Sequence, residues 1–228
     1  DDTITLHQRK LDLLKQLKKG FLQQMFPQNG ETTSKLRFTP FAGDWEQRKL
    51  KKAIIKNNQK NKELSITNVE SVSNKTGFTK QTEQFNDYSV ASSDLSNYYL
   101  IKEKQFAYNP SRINVGSIAY KSEGMSTSVV SPLYISFYTS DIIKDKFLWY
   151  WFKTQDFERQ RQALSEGGVR DTLSFSQLGE MFFLFPSLSE QQKIGTFFKQ
   201  LDETITFYQQ KLILSKQLKK GFLQKLFI

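Results

Sequence analysis

The sequence contains no cysteine and only one histidine, and these two shortages exclude several kinds of chemistry. Without cysteine there can be no disulfide, no thiolate nucleophile and no thiolate metal ligand. With His7 as the single imidazole, no histidine cluster can hold a metal, and no second histidine can serve as a general base in the globular part. Phosphate-binding and dinucleotide-binding glycine motifs are also missing. We therefore expect no catalytic activity and no cofactor.

Long apolar runs and a secretory leader are lacking as well. The aromatic stretch at residues 147–152 is flanked by Lys146 and Lys153. It is far shorter than the roughly 20 residues that a membrane-spanning helix needs. The first residues, Asp1–Thr3, do not resemble a signal peptide. These features predict no membrane contact and a cytoplasmic location.

Positive charge, by contrast, is abundant. Lysine and arginine number 33 against 23 aspartate and glutamate, which gives a formal net charge of +10. An excess of this size is typical of proteins that bind a polyanion such as nucleic acid. A solvated basic surface without such a partner is the alternative, and net charge alone does not separate the two.

A segment of 26 residues occurs twice, once at each end of the chain. Residues 1–26 match residues 202–227 at a constant offset of 201, with 18 identical positions. Such a repeat frames the chain between two copies of one structural unit. The first copy lacks the stretch that precedes the second, residues 190–201. We therefore expect the chain to be part of a longer protein that has another globular unit upstream.

Each copy has the apolar spacing of a helix that packs against another helix. In the second copy, apolar residues follow alternating steps of four and three, the spacing of a coiled-coil seam. A capping box at Ser189 and Gln192 predicts a start just after Pro186, and the helix extends to Phe227. A helix of this length needs a partner helix along it. The residues predicted to pack against partner helices are Leu11, Leu14, Phe21, Ile194, Phe198, Leu201, Ile205, Tyr208, Leu212 and Phe222.

Two points about these helices stay open at the level of sequence. Gly20 and Gly221 lie late in the two copies. We favour C-terminal caps that follow two lysines, and the alternative is close approach of a partner backbone. The partner is also open, since the two copies of one chain could fold back on each other, or two chains could form a symmetric homodimer.

Residues 35–186 have the pattern of an α+β domain. Short β-rich runs, separated by glycine, proline and serine, lie at residues 66–69, 97–101, 113–118, 133–137 and 181–185. A long helix is predicted over 141–165 and a short one over 176–180. The fold class is therefore α+β, a mixed α/β domain with long coiled-coil-like helices at both chain ends. The predicted units are a helix (1–27), a polar linker (28–34), the globular domain (35–186) and a second helix (187–228).

Two loops and a basic run are the candidate DNA contacts. The run 109–114 offers Arg112 and Asn114, side chains that can pair with guanine and adenine edges. The run 166–172 adds a second arginine beside glycines, which let a backbone approach DNA closely. The predicted DNA contacts are Lys49, Lys51, Lys52, Arg112, Asn114, Lys121, Gly168, Arg170 and Ser174. For each, an exposed polar turn or a solvated face is the alternative interpretation.

The segments that frame the globular domain resemble those of a known family. Residues 35–46 are similar to the opening, and residues 167–188 to the closing stretch, of target-recognition domains in Type I restriction–modification specificity subunits. Residues 189–202 and 217–224 resemble the beginning and end of the conserved helix that follows. The resemblance covers nearly the whole chain. It corresponds to the second half of such a subunit, with one recognition domain and a shortened first helix.

The resemblance implies that the chain is a non-catalytic prokaryotic subunit that recognises double-stranded DNA. Each recognition domain of the family recognises one half of a split target, and two conserved helices pack antiparallel as a spacer. The helices hold methyltransferase subunits, which bind S-adenosylmethionine, and restriction subunits that use ATP complete the complex. A helical protein-interaction scaffold that does not bind DNA is the alternative function.

Overall fold

The computed structural model describes residues 2–74, 76–80, 92–165 and 172–226. Its helices are α1 (Asp2–Met25), α2 (Asp145–Trp151), α3 (Gln155–Ser165), α4 (Phe175–Glu180) and α5 (Leu188–Leu226). Its strands are β1 (Glu46–Lys49), β2 (Ile54–Lys56), β3 (Glu70–Ser73), β4 (Gly77–Lys80), β5 (Tyr99–Ile101), β6 (Gln105–Tyr108), β7 (Ile118–Tyr120), β8 (Ser128–Val130), β9 (Ile135–Thr139) and β10 (Phe182–Phe185). Helices at the chain ends and a mixed domain between them give the α+β class that the sequence predicts.

Helices α1 and α5 pack against each other along one seam, and we call this pair the rod. The buried and half-buried apolar residues of the seam are Ile4, Leu11, Leu14, Leu201, Ile205, Tyr208 and Leu212. His7 lies beside Tyr208, with ring centroids 6.0 Å apart, and Lys18 pairs with Asp202. Residue numbers rise along α1 as they fall along α5, so the helices are antiparallel. The first copy of the repeat thus folds back on the second within one chain.

Both helices continue through the glycines that were predicted to end them. Gly20 lies inside α1, and Gly221 lies inside α5. The prediction of C-terminal caps was therefore wrong. A Cβ built on either glycine would meet nothing within 4 Å, so neither glycine marks a close approach within the described chain. Burial explains why α1 continues, because Phe21 and Leu22 follow Gly20 and pack on the main core.

The central sheet has the strand order β2–β9–β6–β7, and all of its pairs are antiparallel. Successive side chains of a strand point to opposite faces of the sheet. On one face, Phe106 of β6 stacks on Phe137 of β9, with centroids 4.9 Å apart, inside the main core. On the other face, Ala107 and Ala119 pack under the β3–β4 hairpin, which contributes Phe78 to a second core. The sheet is therefore buried on both faces near its centre.

The main core lies where the rod meets the globular part. Phe26, which directly follows α1, stacks on Phe147 of α2 with centroids 5.1 Å apart. Phe198 of α5 lies 5.0 Å from Tyr150 of α2. Phe183 of β10 meets Phe147 edge-on at 5.6 Å. Aromatic pairs of this kind contribute roughly 0.5–1.5 kcal/mol each beyond area burial, so the rod and the globular part share one hydrophobic core.

The helix predicted over residues 141–165 is divided into α2 and α3. Thr154 lies at the break, where its hydroxyl donates to the carbonyl of Trp151 at 2.8 Å. The same hydroxyl accepts from the backbone N–H of Phe157 at 3.3 Å, as an N-terminal cap does. A residue that caps the N-terminus of a helix has non-helical backbone angles, so the cap at Thr154 separates α2 from α3 and the single-helix prediction was wrong.

Two of the predicted β-rich runs also differ from the structure. In the run 113–118, Ile113–Val115 form a 3-10 turn that ends at Gly116 with φ of 81°, and β7 begins only at Ile118. In the run 66–69, Val69 makes an isolated bridge to Val129. Glycine adopts a positive φ without strain, so Gly116 ends the 3-10 turn before the chain enters β7.

Helix α5 begins before the predicted capping box. Ser187, and not Ser189, accepts the backbone N–H of Glu190 at 3.3 Å. The Glu190 carboxylate binds Arg37, whose Nε and Nη2 donate to its two oxygens at 2.7 Å each. A carboxylate in the first turn also complements the helix dipole. This buried pair ties the segment before β1 to the beginning of α5.

Gly195 is the point at which α5 approaches the backbone of α2. A Cβ built there would lie 2.9 Å from the Cβ of Lys146 and 3.2 Å from the backbone N of Phe147. We expect Gly195→Ala to push the two helices apart and to lower the free energy of unfolding by about 1–3 kcal/mol, as overpacking does. Urea denaturation followed by circular dichroism measures the change.

Gly20→Ala is the matched control, because the same substitution in α1 meets nothing within 4 Å. It should raise the free energy of unfolding by about 0.5–1 kcal/mol, since alanine has the higher helix propensity. Similar effects of the two substitutions on stability would contradict a close approach at Gly195.

Candidate nucleic-acid interface

Several loops meet at one end of the central sheet, and we call this end the loop edge. β6 ends at Tyr108, which is paired with Ile118 at the start of β7 and with Ile135 at the start of β9. The β6–β7 loop (109–117) and the β8–β9 turn (131–134) therefore leave the sheet side by side. Loops held by a rigid sheet in this way are the usual location of binding residues.

Leu173 connects a third segment to the loop edge. Its backbone N–H donates to the carbonyl of Pro110 at 3.0 Å, and its carbonyl accepts from the Tyr108 hydroxyl at 3.0 Å. The predicted run 109–114 therefore lies directly beside the end of the predicted run 166–172. Gly168 and Arg170, which belong to the second run, lie outside the described residues.

The β6–β7 loop presents Arg112 and Asn114 on a fixed backbone. The Arg112 carbonyl accepts from the N–H groups of Val115 and Ser117 at 3.2 and 3.1 Å, and the Arg112 N–H donates to Asn109 at 3.1 Å. The side chains of Arg112 and Asn114 are exposed. A rigid loop loses little conformational entropy on binding, which favours precise contacts to base edges.

The β3–β4 turn adds a polar residue that the sequence did not single out. Asn74 in this turn lies against the β6–β7 loop, 3.8 Å from where a Cβ on Gly116 would be. Ser117 anchors the loop to β3 by donating to the carbonyl of Val72 at 3.0 Å. A small cleft of about 140 Å³ between them is lined partly by Asn74 and Arg112. Only the hairpin pairing brings Asn74 here, so no local sequence signal could have identified it.

Helix α4 connects the loop edge to the basic run. It begins at the cap residue Ser174, next to Leu173, and ends at Glu180 six residues later, about 9 Å along the helix axis. At that end Gly179 packs against the Cβ of Lys51, and the backbone N–H of Leu50 donates to Met181 at 2.8 Å. Basic residues around Lys51 therefore lie on a surface next to the loop edge.

Three predicted lysines form what we call the basic strip: Lys49, Lys51 and Lys52. Lys49 and Lys51 donate to the two carboxylate oxygens of Glu180 at 2.5 and 2.7 Å. These donated bonds, that of Lys49 first, lower the pKa of Glu180 to about 2. Glu180 is therefore ionised at any pH at which DNA binding is measured. Lys52 is exposed beside them.

Ser174 has a structural role that sequence reasoning missed. Its hydroxyl accepts from the backbone N–H of Gln177 at 3.2 Å, and the Gln177 side chain accepts from the Ser174 N–H at 2.8 Å. This reciprocal capping box begins α4. Ser174 remains exposed at the loop edge, and its hydroxyl could accept that bond while donating to a ligand.

Lys121 does not belong to this surface, and its prediction as a DNA contact was wrong. Its side chain is fully buried and pairs with Glu70 at 2.6 Å. Its ammonium also donates to Ser128 at 2.8 Å and lies 5.1 Å from the centre of the Phe78 ring. A lysine is rarely buried unless it is paired, and the sequence gives no sign of a partner 51 positions away.

The helix residues predicted to bind partners fall into three groups. Leu11, Leu14, Leu201, Ile205, Tyr208 and Leu212 form the seam of the rod. Phe21, Ile194 and Phe198 pack in or against the main core. Phe222, in contrast, is 66% exposed near the end of α5. Most of these side chains therefore already have partners within the chain.

Two features are absent from the described residues. None of their helices is long and apolar enough to cross a membrane. They also contain no group of three or more histidine, cysteine, aspartate or glutamate residues that could hold a metal ion. The exposed loop edge and basic strip are thus the candidate site.

One family model matches the sequence. Residues 42–215 match the model described as Type I restriction modification DNA specificity domain. The matched segment includes the loop edge, the basic strip and most of α5. Among curated proteins, no sequence is significantly similar.

Solved structures with a similar fold include three chains of Type I systems. The HsdS subunit from Thermoanaerobacter tengcongensis is 15% identical, with a TM-score of 0.58, and the match covers 97% of this chain and 52% of that one. A chain from work on complex assembly and conformational transition of the type I R-M system is 15% identical, with a TM-score of 0.59 and coverages of 97% and 53%. The Type-I S subunit from M. genitalium is 14% identical, with a TM-score of 0.57 and coverages of 99% and 57%. The chain thus spans about half the length of the solved chains that it matches.

Proposed function

Because this chain belongs to the family of Type I restriction modification DNA specificity domains, we propose that it recognises double-stranded DNA through the loop edge and the basic strip. It acts as a non-catalytic specificity module that directs methyltransferase and restriction subunits to a split target. The observation that supports the proposal is the hydrogen bond from Leu173 to Pro110, which joins the predicted run 109–114 to the residue that follows the predicted run 166–172. We further propose the prokaryotic cytoplasm as its location.

The two parts of the site have different tasks in this proposal. At the loop edge, Arg112 and Asn114 contact base edges, together with Gly168 and Arg170 of the neighbouring segment. In the basic strip, Lys49, Lys51 and Lys52 contact backbone phosphates, which position a protein without conveying sequence. In the same scheme, residues 35–186 form the recognition domain, 28–34 the linker, and 1–27 and 187–228 the spacer helices.

Exposed apolar residues of the rod support binding of helical partners. Those on α1 and the middle of α5 are Leu6, Leu13, Leu17, Phe207 and Ile213. Exposed apolar side chains along a pair of helices favour binding of further protein. We propose that the methyltransferase subunits bind here. A scaffold that does not bind DNA would use the same surface, so duplex binding is what separates the two functions.

The end of α5 supports association of two copies of the chain. Phe222 and Leu223 are the repeat equivalents of Phe21 and Leu22. In α1, Phe21 packs edge-on against Phe197 at 5.1 Å. A second chain would cover Phe222 and Leu223 with apolar surface of its own, and the resulting symmetric pair would carry two recognition domains.

Replacing both Lys51 and Lys52 by alanine should weaken binding of a random-sequence duplex. Each lost phosphate contact should flatten the slope of log affinity against log salt by about 0.9, because fewer counterions are released. Fluorescence anisotropy of a labelled duplex across a salt series measures the slope. The control replaces Lys102 and Lys104 by alanine. Both residues lie just before β6, whereas the loop edge is at the other end of that strand, at Tyr108. An equal change in slope for both double variants would contradict the assigned surface.

Arg112→Ala should reduce affinity for a preferred duplex more than for random DNA. The expected loss on the preferred duplex is about 1–3 kcal/mol, the discrimination that a bidentate arginine–guanine pair supplies. The preferred duplex is obtained by selecting from a random pool with the unmodified protein, and competition anisotropy gives both affinities. Arg170→Ala carries the same expectation. Unchanged affinity for both duplexes would remove the substituted arginine from the interface.

Sedimentation should show a concentration-dependent dimer that Phe222→Ser weakens. We expect the dissociation constant to rise by about a hundredfold or more, because burial of each phenylalanine side chain contributes about 1.5–3 kcal/mol and a symmetric pair loses two. Leu133→Ser is the control, since Leu133 is even more exposed but lies in the β8–β9 turn. Analytical ultracentrifugation at tens of micromolar measures both. A strict monomer at that concentration would remove the homodimer.

A further inference from the structure

Glu180 lies between two lysines that the proposed function assigns to DNA phosphates. Its carboxylate oxygens accept from Lys49 and Lys51 at 2.5 and 2.7 Å. The three side chains are between 40% and 53% exposed, so solvent and a ligand can reach all of them. The cluster has two cations and one anion and therefore an excess charge of +1.

The backbone holds the two lysines so that their ammonium groups converge. Lys49 ends β1 and is paired with Phe182 of β10. Lys51 follows in the 3-10 turn and is pressed against Gly179, where a Cβ would lie 3.0 Å from the Cβ of Lys51. Two ammonium groups fixed around one pair of anionic oxygens are also the arrangement that binds a phosphate group.

Helix stability does not account for an acidic residue at this position. Glu180 is the last residue of α4, where the negative end of the helix dipole disfavours a carboxylate. The neighbouring pair of Glu46 and Arg48 is different, since it joins one anion to one cation within β1. The Glu180 charge thus destabilises its own helix, while its carboxylate contacts two lysines that are predicted to bind DNA.

We propose that the Glu180 carboxylate occupies the position of a DNA backbone phosphate, and that duplex DNA displaces it from Lys49 and Lys51. The inference rests on the proposed function, because it concerns the same basic strip. It makes Glu180 a specificity-determining residue that binds no base. By competing for the two lysines, Glu180 lowers affinity for every duplex, so that stable binding requires the base contacts of the loop edge.

Exposed ion pairs are weak enough for such an exchange. Side-chain pairs at a protein surface contribute little because water and salt screen them. A duplex, in contrast, releases condensed counterions for each phosphate that a lysine neutralises. Displacement of Glu180 is therefore compatible with rapid binding and release.

Glu180→Gln tests the proposal, because glutamine keeps the size of the side chain and removes its charge. Binding of a random-sequence duplex should become tighter by a factor on the order of five at low salt, the effect of one unscreened surface charge pair. The salt slope should become steeper by up to about 0.9, as one more phosphate contact forms. Anisotropy of a labelled duplex across a potassium chloride series measures both quantities.

Glu46→Gln is the matched control, since it removes the same charge from β1, the strand that carries Lys49, without releasing Lys49 or Lys51. It should tighten random-duplex binding by less than half as much as Glu180→Gln. Adding Lys51→Gln to Glu180→Gln should abolish most of the gain. Urea denaturation of each variant shows whether the fold is retained.

The outcomes separate this inference from the proposed function. If the unmodified protein binds duplex DNA and Glu180→Gln does not tighten this binding, the proposed competition between Glu180 and phosphate is refuted. DNA recognition then stands. Equal tightening by Glu46→Gln would show a general charge effect and would also refute the competition. If neither the unmodified protein nor Glu180→Gln binds duplex DNA, both the proposed function and this inference fail.

Discussion

The structure depends on the aromatic packing that joins the rod to the globular part. Phe26, directly after α1, and Phe198 of α5 both contact α2, through Phe147 and Tyr150. Gly195 permits that approach, because any larger residue would meet the α2 backbone. If a flexible linker joined the rod to the globular part, the length of the rod would not fix the position of a recognition domain. With a shared core, the direction of the rod and the position of the loop edge are fixed relative to each other.

Equivalent residues of the two repeat copies lie in the same environment at some positions and in different environments at others. Leu11 and Leu212 are equivalent positions, and both are buried in the same seam. Phe21 and Phe222 are equivalent too, yet the first packs on Phe197 and the second is exposed. The repeated sequence therefore encodes the helix and its apolar stripe, whereas the neighbouring chain decides which part of the stripe is covered. The packing of Phe21 therefore indicates that the partner surface of Phe222 is also apolar.

Sequence reasoning succeeded where the signal is local and periodic. The apolar spacing around Ile205 and Leu212 predicts a helix that packs against a partner helix, because a coiled-coil seam depends on residues three and four positions apart. Sequence reasoning was wrong where a residue distant in the chain decides whether a side chain is buried or exposed. Lys121 looks like a surface cation until β3 brings Glu70 to it, and no local pattern separates the two cases. The capping serine of α5 was misplaced by two residues for a different reason, since Ser187 and Glu190 have the same spacing as Ser189 and Gln192, and the structure uses the first pair.

Rigid loops and paired lysines together constrain how such a surface can discriminate between sequences. Phosphate contacts stabilise every duplex equally, so strong ones raise affinity without raising selectivity. In the basic strip, Glu180 already neutralises part of the charge of Lys49 and Lys51. At the loop edge, the Arg112 backbone is held by three hydrogen bonds while its side chain stays exposed. In the proposed function, the fold restrains the general attraction to DNA and pre-organises the contact of Arg112 with base edges, which is the balance that a recognition module requires when non-target DNA is in large excess.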